Sequence, residues 1–235
     1  MTERSTDLRE RIVRAAAGLL TSGGREAVST RSVSAAAGVQ PPAIYRQFGD
    51  MQGLLDAAAR EVFATYVRQK AKRAPTDDPV EELRRGWDLH VAFGVTNAAA
   101  YTLLFGDASV REGPEVREGQ AVLRALVARV AEAGRLRVTV EHAAQLLHAA
   151  ACGVTLSLLA SPPGERDDRL SESMREVVMG AITGAAPSKA ASGPRRVAAR
   201  AVALRAVLEE SGEALTKGER ELLGEWLDRL AERRG

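Results

Sequence analysis

An all-α chain is predicted, on three observations. Ala, Leu, Val and Arg dominate, and aromatic residues make up only 4%; Ala and Leu favour helix, and a sheet this poor in Tyr, Phe and Ile would be unusual. Apolar residues recur at helical spacing from the start, at Leu8, Ile12, Ala15, Ala16, Leu19 and Leu20. No segment reads convincingly as a strand. With 235 residues, 45% of them hydrophobic and 27% charged, the chain can bury a substantial core without disulfides or metal and is not of disordered composition.

The elements follow in order. Asp7 and Glu10 suggest a capping box for the first helix, and Gly23 and Gly24 suggest its stop. Ser29 is a good N-cap for a short helix over 30–37, which ends at Gly38. Pro41 and Pro42 suit the first turn of a third helix carrying Ala43 to Phe48. Gly49 breaks it, and Asp50 caps a fourth helix over about 51–73, whose inner face reads Leu54, Leu55, Ala58, Val62, Thr65 and Tyr66. Beyond Ala74–Pro79, helices are expected near 80–95, 97–105, 114–133, 139–160 and 168–184. The small-residue stretch from Ala185 to Pro194 reads as a linker. Two further helices are expected near 195–211 and 217–233, the second capped by Thr216.

The organisation read from this is residues 1–73, 74–186 and 187–235. Their charge differs. The first holds 12 Lys/Arg against 7 Asp/Glu, the second 11 against 16, the third 10 against 8. A basic unit beside an acidic one points to a polyanion partner for the first alone. The single Cys152 excludes an internal disulfide framework and a multi-cysteine zinc site. No uninterrupted apolar run reaches membrane-spanning length, and the charged N-terminus lacks a signal core. No membrane partner and a cytoplasmic location are therefore expected.

Two short helices joined by a tight glycine turn form a helix-turn-helix. Val33, Ala37, Val39, Ile44 and Phe48 can pack them together; Thr30, Arg31, Gln40, Pro41, Ala43, Tyr45 and Arg46 stay outward. The stretch Ser29-Thr30-Arg31-Ser32-Val33-Ser34-Ala35-Ala36-Ala37-Gly38-Val39, followed by Ala43-Ile44-Tyr45-Arg46-Gln47-Phe48 and Leu54-Leu55, resembles the tetracycline-repressor (TetR) family of transcription regulators. The close similarity covers about residues 8–68. It implies that the helix near 41–47 lies in the major groove of double-stranded DNA. Ser29 and Tyr45 would then touch phosphate, while Thr30, Gln40, Pro41, Ala43 and Arg46 would face bases or nearby backbone. Arg31 is a phosphate, surface or base-reading residue. Arginine can grip guanine and glutamine can pair with adenine. Plainer readings stand beside these: a solvated side chain for Arg46, packing for Tyr45. One departure from the family is Met51, where members usually carry a phosphate-touching lysine.

The middle segment, with Trp87-Asp88-Leu89-His90 and Asn97-Ala98-Ala99-Ala100-Tyr101-Thr102-Leu103-Leu104-Phe105, resembles that family's ligand-binding and dimerisation region. Trp87, His90, Tyr101, Phe105, His148 and Cys152 are the aromatic or polar groups best suited to a mainly apolar pocket. His148 and Cys152 are four apart on one helix face, but no third metal ligand is evident, so a core or pocket role is favoured. The apolar stretches 139–160 and 170–182 suit a four-helix interface between two copies, a monomer core being the alternative.

There is no P-loop, G-x-S-x-G, GxGxxG or HExxH motif. The carboxylate pairs Asp77-Asp78, Glu81-Glu82 and Asp167-Asp168 read as caps or solvated faces. The expectation is a non-enzymatic, ligand-responsive repressor without cofactor or metal. It binds a near-palindromic operator as a homodimer and is released by a small apolar or amphipathic effector. The alternatives are a helical adaptor that has kept the fold without binding DNA and, less favoured, a small-molecule enzyme.

Overall fold

The computed structural model describes residues 2–72, 74, 76–106, 113–184, 194–209 and 214–232. Among them the chain is all-α. The elements are α1 (Thr2–Ala27), α2 (Thr30–Ala37), α3 (Pro41–Phe48), α4 (Met51–Ala71), α5 (Pro79–Thr96), α6 (Ala98–Phe105), α7 (Pro114–Glu132), α8 (Val140–Leu159), α9 (Asp168–Ile182), α10 (Pro194–Ala206) and α11 (Lys217–Glu232). The only extended pairing among the described residues is one antiparallel bridge, Leu136 with Thr183. The linker expected at 185–193 lies outside the described residues.

Contacts divide the chain into two compact units. The first comprises residues 1–73, 91–119 and 155–166, the second 74–90, 120–154 and 167–235. In the first, α1 packs on α2, α4 and α6 around Ile12, Ala16, Leu20, Val33, Ala37, Ile44, Leu54, Leu55 and Ala58. Two expectations here need correction. The helix begins at Thr2, so Asp7 is not a cap; nothing in residues 2–6 is a helix breaker, and Glu10 pairs instead with Arg14 at 2.9 Å. Gly23 does not end the helix: Gly24 alone breaks it, at φ 68°, and helical residues resume to Ala27.

The inner face of α4 also differs from expectation. Leu54, Leu55 and Ala58 are buried, but further along the buried positions are Ala59, Phe63, Ala64 and Val67. Thr65 is exposed and lies within a hydrogen-bonded group with Glu61 and Arg68. The core switches faces because Phe63 enters a ring cluster of the first unit. Phe63 touches Tyr66, Phe93 and Phe105 at 5.5–5.7 Å between centroids, and Tyr66 stacks on Phe93 at 4.5 Å. Tyr101 closes it against Phe105 at 4.7 Å.

Beside this cluster Lys70 holds its Nζ 5.8 Å from the Tyr66 ring centroid. Burial lowers the Lys70 ammonium from 10.5 to about 8. The folded chain therefore binds fewer protons than the unfolded chain between about pH 8 and 10.5, and stability rises with pH across that window. Below pH 8 the full cost of burying the charge is present. Lys70→Met is expected to stabilise the fold by about 1 kcal/mol at pH 7, the lost cation–π contact offsetting part of the gain. It is also expected to remove the rise. Denaturant titrations of both proteins from pH 7 to 10.5 check this.

In the second unit Asp78, Glu82 and Asp167 serve structure, as caps and ion pairs. Asp78 Oδ1 accepts from Val80 N at 2.9 Å and from Arg135 at 2.8 Å, and these contacts, led by the Val80 N–H, lower its carboxyl below the usual range. Glu82 binds Arg129, and Asp167 caps α9 through Arg169 N at 3.0 Å. Arg84 and Arg175 both bond Glu176, at 3.1 and 3.0 Å, and hold its carboxyl down. Residues Val140–Ala160 have a mean hydropathy of 1.5 over an 18-residue window, long and apolar enough to cross a membrane by length and composition. Gln145, His148, Thr155 and Ser157 interrupt this stretch, so it holds no uninterrupted apolar run of that length. Ala143, Leu147, Ala151, Val154 and Leu158 are buried along one face of it, and 39% of that window is buried.

α10 and α11 pack on each other. Ala201, Leu208 and Leu227 form their small core, with Leu215 and Leu223 against it. Thr216 and Glu219 cap α11 reciprocally, at 2.8 Å (Thr216 N to Glu219 Oε2) and 3.3 Å (Glu219 N to Thr216 Oγ1). α10 stops at Ala206, short of the expected 211.

Candidate nucleic-acid interface

Local chemistry fixes α2 and α3. Ser29 caps α2 in extended backbone, its Oγ accepting from Ser32 N at 3.1 Å, while Ser32 Oγ accepts from Ser29 N at 2.9 Å. Ser32 also donates to Ala27 O at 2.7 Å, tying the cap to the end of α1. Gly38 takes φ 62°, ψ 43°, the left-handed conformation that glycine adopts without a Cβ penalty. That turn aims α3 across α2. Pro41 and Pro42 start α3 without needing donors, and Ile44 is fully buried against Val33 and Ala37.

With Ile44 inward, helical geometry turns the neighbouring positions out. Tyr45 is 46% exposed. Ser29, Arg31, Gln40, Pro41 and Arg46 are exposed, and Thr30 and Ala43 half-buried. The Thr30 hydroxyl lies 3.0 Å from the Tyr45 hydroxyl and donates to Met51 Sδ at 3.4 Å. Thr30 therefore anchors Tyr45 across the two helices, a role not read from the sequence. Asp50 caps α4 through Gly53 N at 2.8 Å.

Two further cations belong to this region and were missed. Arg25 donates to Gln52 Oε1 at 3.0 Å, at the first turn of α4. The signal lay in Gly24, whose positive φ redirects the chain just before Arg25. Arg9 places its guanidinium 4.8 Å over the Phe48 ring.

The other predicted residues fall into two groups. In the first unit Tyr101 is fully buried, and Phe105 joins it in the ring cluster. In the second unit Trp87 is 3% exposed and donates its Nε1–H to Ser171 Oγ at 3.1 Å. There Cys152 Sγ lies 3.9 Å from His90 Nε2 and 3.7 Å from His148 Nδ1. The spacing of His148 and Cys152 on one helix is local, whereas the approach of His90 is tertiary. Among the described residues no group of three or more His, Cys, Asp or Glu has the geometry to hold a metal ion.

The family of bacterial regulatory proteins, tetR family, matches the chain over residues 12–58. No curated protein matches it significantly. Among solved structures, a TetR-family transcriptional regulator from Pectobacterium atrosepticum is 15% identical with a TM-score of 0.59, covering 77% of this chain and 93% of that one. The fatty acid degradation regulator FadR from Bacillus halodurans is 16% identical with a TM-score of 0.56, covering 73% and 94%. The multidrug binding protein EbrR, complexed with imidazole, is 23% identical with a TM-score of 0.54, covering 81% and 96%. Residues 12–58 are thus a helix-turn-helix domain of the bacterial tetR family, set in a chain with the fold of that family's transcription regulators.

Proposed function

We propose that the protein is a ligand-responsive transcriptional repressor that binds a near-palindromic operator as a homodimer in the cytoplasm and is not an enzyme. The observation that carries this is the outward side of α3, with Tyr45, Arg46, Gln40 and Pro41 exposed above a buried Ile44. Ser29 and Tyr45 contact phosphate. Thr30, Gln40, Pro41, Ala43 and Arg46 face bases or adjacent backbone, with Arg31 beside them. Two-fold pairing of α3 in two copies matches half-sites one helical turn apart, about 34–36 Å. Met174 and Val177 on α9 and Leu146 on α8, all exposed apolar side chains, support pairing through these helices. The domain division we adopt is 1–73 for DNA, 74–186 for ligand and dimer, and 187–235 as an extension.

A small apolar or amphipathic effector is the natural ligand. Tyr101 and Phe105 in the first unit, and Trp87, His90, His148 and Cys152 in the second, are each kept as separate candidates for it. The supporting feature is α4, a single helix with Leu54, Leu55 and Ala58 in the helix-turn-helix core and Phe63 and Tyr66 in the ring cluster. A shift at the rings is carried along α4 to the reading head. Only an effector that binds the free and operator-bound states unequally can drive it. Gel-shift titration of selected operator duplexes, with and without candidate amphipathic compounds, tests the reading.

Met51 supplies no positive charge where the family usually does. Met51→Lys is expected to steepen the dependence of log K on log salt by about one unit per half-site, from one more neutralised phosphate. Operator binding measured from 50 to 200 mM salt checks this; an unchanged slope contradicts the assignment of that position to phosphate.

A further inference from the structure

The chain carries one cysteine and three histidines, and two of those histidines meet the cysteine. His148 precedes Cys152 by one turn of α8, so their contact at 3.7 Å (Nδ1 to Sγ) follows from local geometry. His90 comes from α5 and sets its Nε2 3.9 Å from the same sulfur. Its place is fixed by Trp87, three residues earlier on the same side of α5, which is buried and donates to Ser171 on α9 at 3.1 Å. All three side chains of the cluster are half-buried, so a small molecule can reach them where water is already partly excluded. Cys152 is in no disulfide, and the cluster lacks the geometry of a metal site. The chemistry open to two imidazoles on one thiol is proton transfer and nucleophilic attack.

We propose that Cys152, with His148 and His90, is a covalent capture site for small uncharged α,β-unsaturated carbonyl compounds. An imidazole takes the thiol proton, and the imidazolium so formed stabilises the thiolate. The sulfur electron pair then forms a C–S bond to the β-carbon of the ligand. The carbon–carbon π pair moves onto the carbonyl as an enolate, and the imidazolium returns the proton to the α-carbon. Nothing is oxidised or reduced, and no group leaves. Oxidation is the poorer fit, because the chain has no second cysteine to resolve a sulfenic acid. The surroundings favour an uncharged ligand. Trp87, Leu147 and Ala151, next to the cluster along their helices, are buried. Every charged side chain of α5 is already in an ion pair: Glu81 with Arg85, Glu82 with Arg129 on α7, and Arg84 and Asp88 with Glu176 and Arg175 on α9. Along α8 the only other titratable groups are Glu141 and His142, both exposed at its start. The two imidazoles are therefore the titrating groups set against the sulfur. The proposal gives the effector a chemical class, and it rests on the ligand-responsive reading for the ligand's role but not for the chemistry.

An ordinary thiol, with a pKa of about 8.5, is alkylated about 30-fold faster at pH 7.5 than at pH 6, because only its thiolate reacts. N-ethylmaleimide, an uncharged member of the ligand class, is the probe. Its addition to the full chain is timed by mass spectrometry between those pH values, with the chain unfolded in denaturant as reference. The folded chain is expected to gain one adduct, absent from Cys152→Ser, at a rate that changes less than about fivefold across the range, while the unfolded chain follows the 30-fold rise. His148→Gln and His90→Gln, with unchanged helical circular dichroism, are each expected to restore a rise of about tenfold or more. Four results overturn the proposal: no adduct on the folded chain, an adduct retained in Cys152→Ser, a folded profile as steep as the unfolded one, or a flat profile kept in both histidine variants. Should the histidine variants not fold, the profile of the unaltered chain decides alone. These measurements use no DNA. An unreactive Cys152 overturns the capture site and leaves the repressor reading standing, whereas a reactive Cys152 in a chain that selects no operator supports the capture site and overturns the repressor reading.

Discussion

Arg46→Ala is expected to weaken binding to the selected operator by about 10- to 100-fold while changing random-duplex binding only a few-fold. A bidentate arginine–guanine contact contributes about 1–3 kcal/mol of discrimination, whereas a lost phosphate contact lowers affinity for all sequences alike. Arg46 is exposed on the last turn of α3, and no packing role competes with this use. Competition titrations against operator and random duplex at one salt concentration separate the two cases. Equal losses on both duplexes reduce Arg46 to an electrostatic anchor. Thr30 differs in kind: its hydroxyl meets Tyr45 and Met51, so its loss also disturbs the position of Tyr45, beyond any contact Thr30 itself makes.

The largest effect on stability is expected from Ile44→Ala. Ile44 is the one fully buried side chain of α3, with Phe48 partly buried against the same core. Removing its outer carbons leaves a cavity between α2 and α3, at a cost of about 2–5 kcal/mol. α3 has only eight residues, too short to persist without packing. The variant is therefore expected to lose operator affinity far beyond any direct contact of Ile44 and to unfold at lower denaturant concentration. Chemical denaturation followed by circular dichroism, beside the gel shift, checks both. Unchanged stability would contradict the role given to Ile44 as the fixed point that turns Tyr45 and Arg46 outward.

The helix-turn-helix was legible because its rules are local. Ser29, Gly38, the paired prolines and Asp50 each act within a few residues, and α2 and α3 fall where those residues place them. The failures arose where tertiary packing overrode pattern. Thr65 fits the periodicity of α4's inner face, yet Phe63 joins the rings of Phe93 and Phe105, and those partners lie on other helices. Asp7 has the look of a cap but lies inside α1, because residues 2–6 contain no breaker. The approach of His90 to Cys152 joins residues 62 positions apart. The bond from Arg25 to Gln52 needed the direction that Gly24 gives the chain, which a helix-stop reading does not supply.

Selection of bound duplexes from a random pool by the full-length protein tests the central claim most directly. The expected result is enrichment of a near-palindromic site with half-sites one helical turn apart, lost in Arg46→Ala and Tyr45→Ala. Recovery of the pool without sequence preference, at a salt concentration where binding persists, would contradict it.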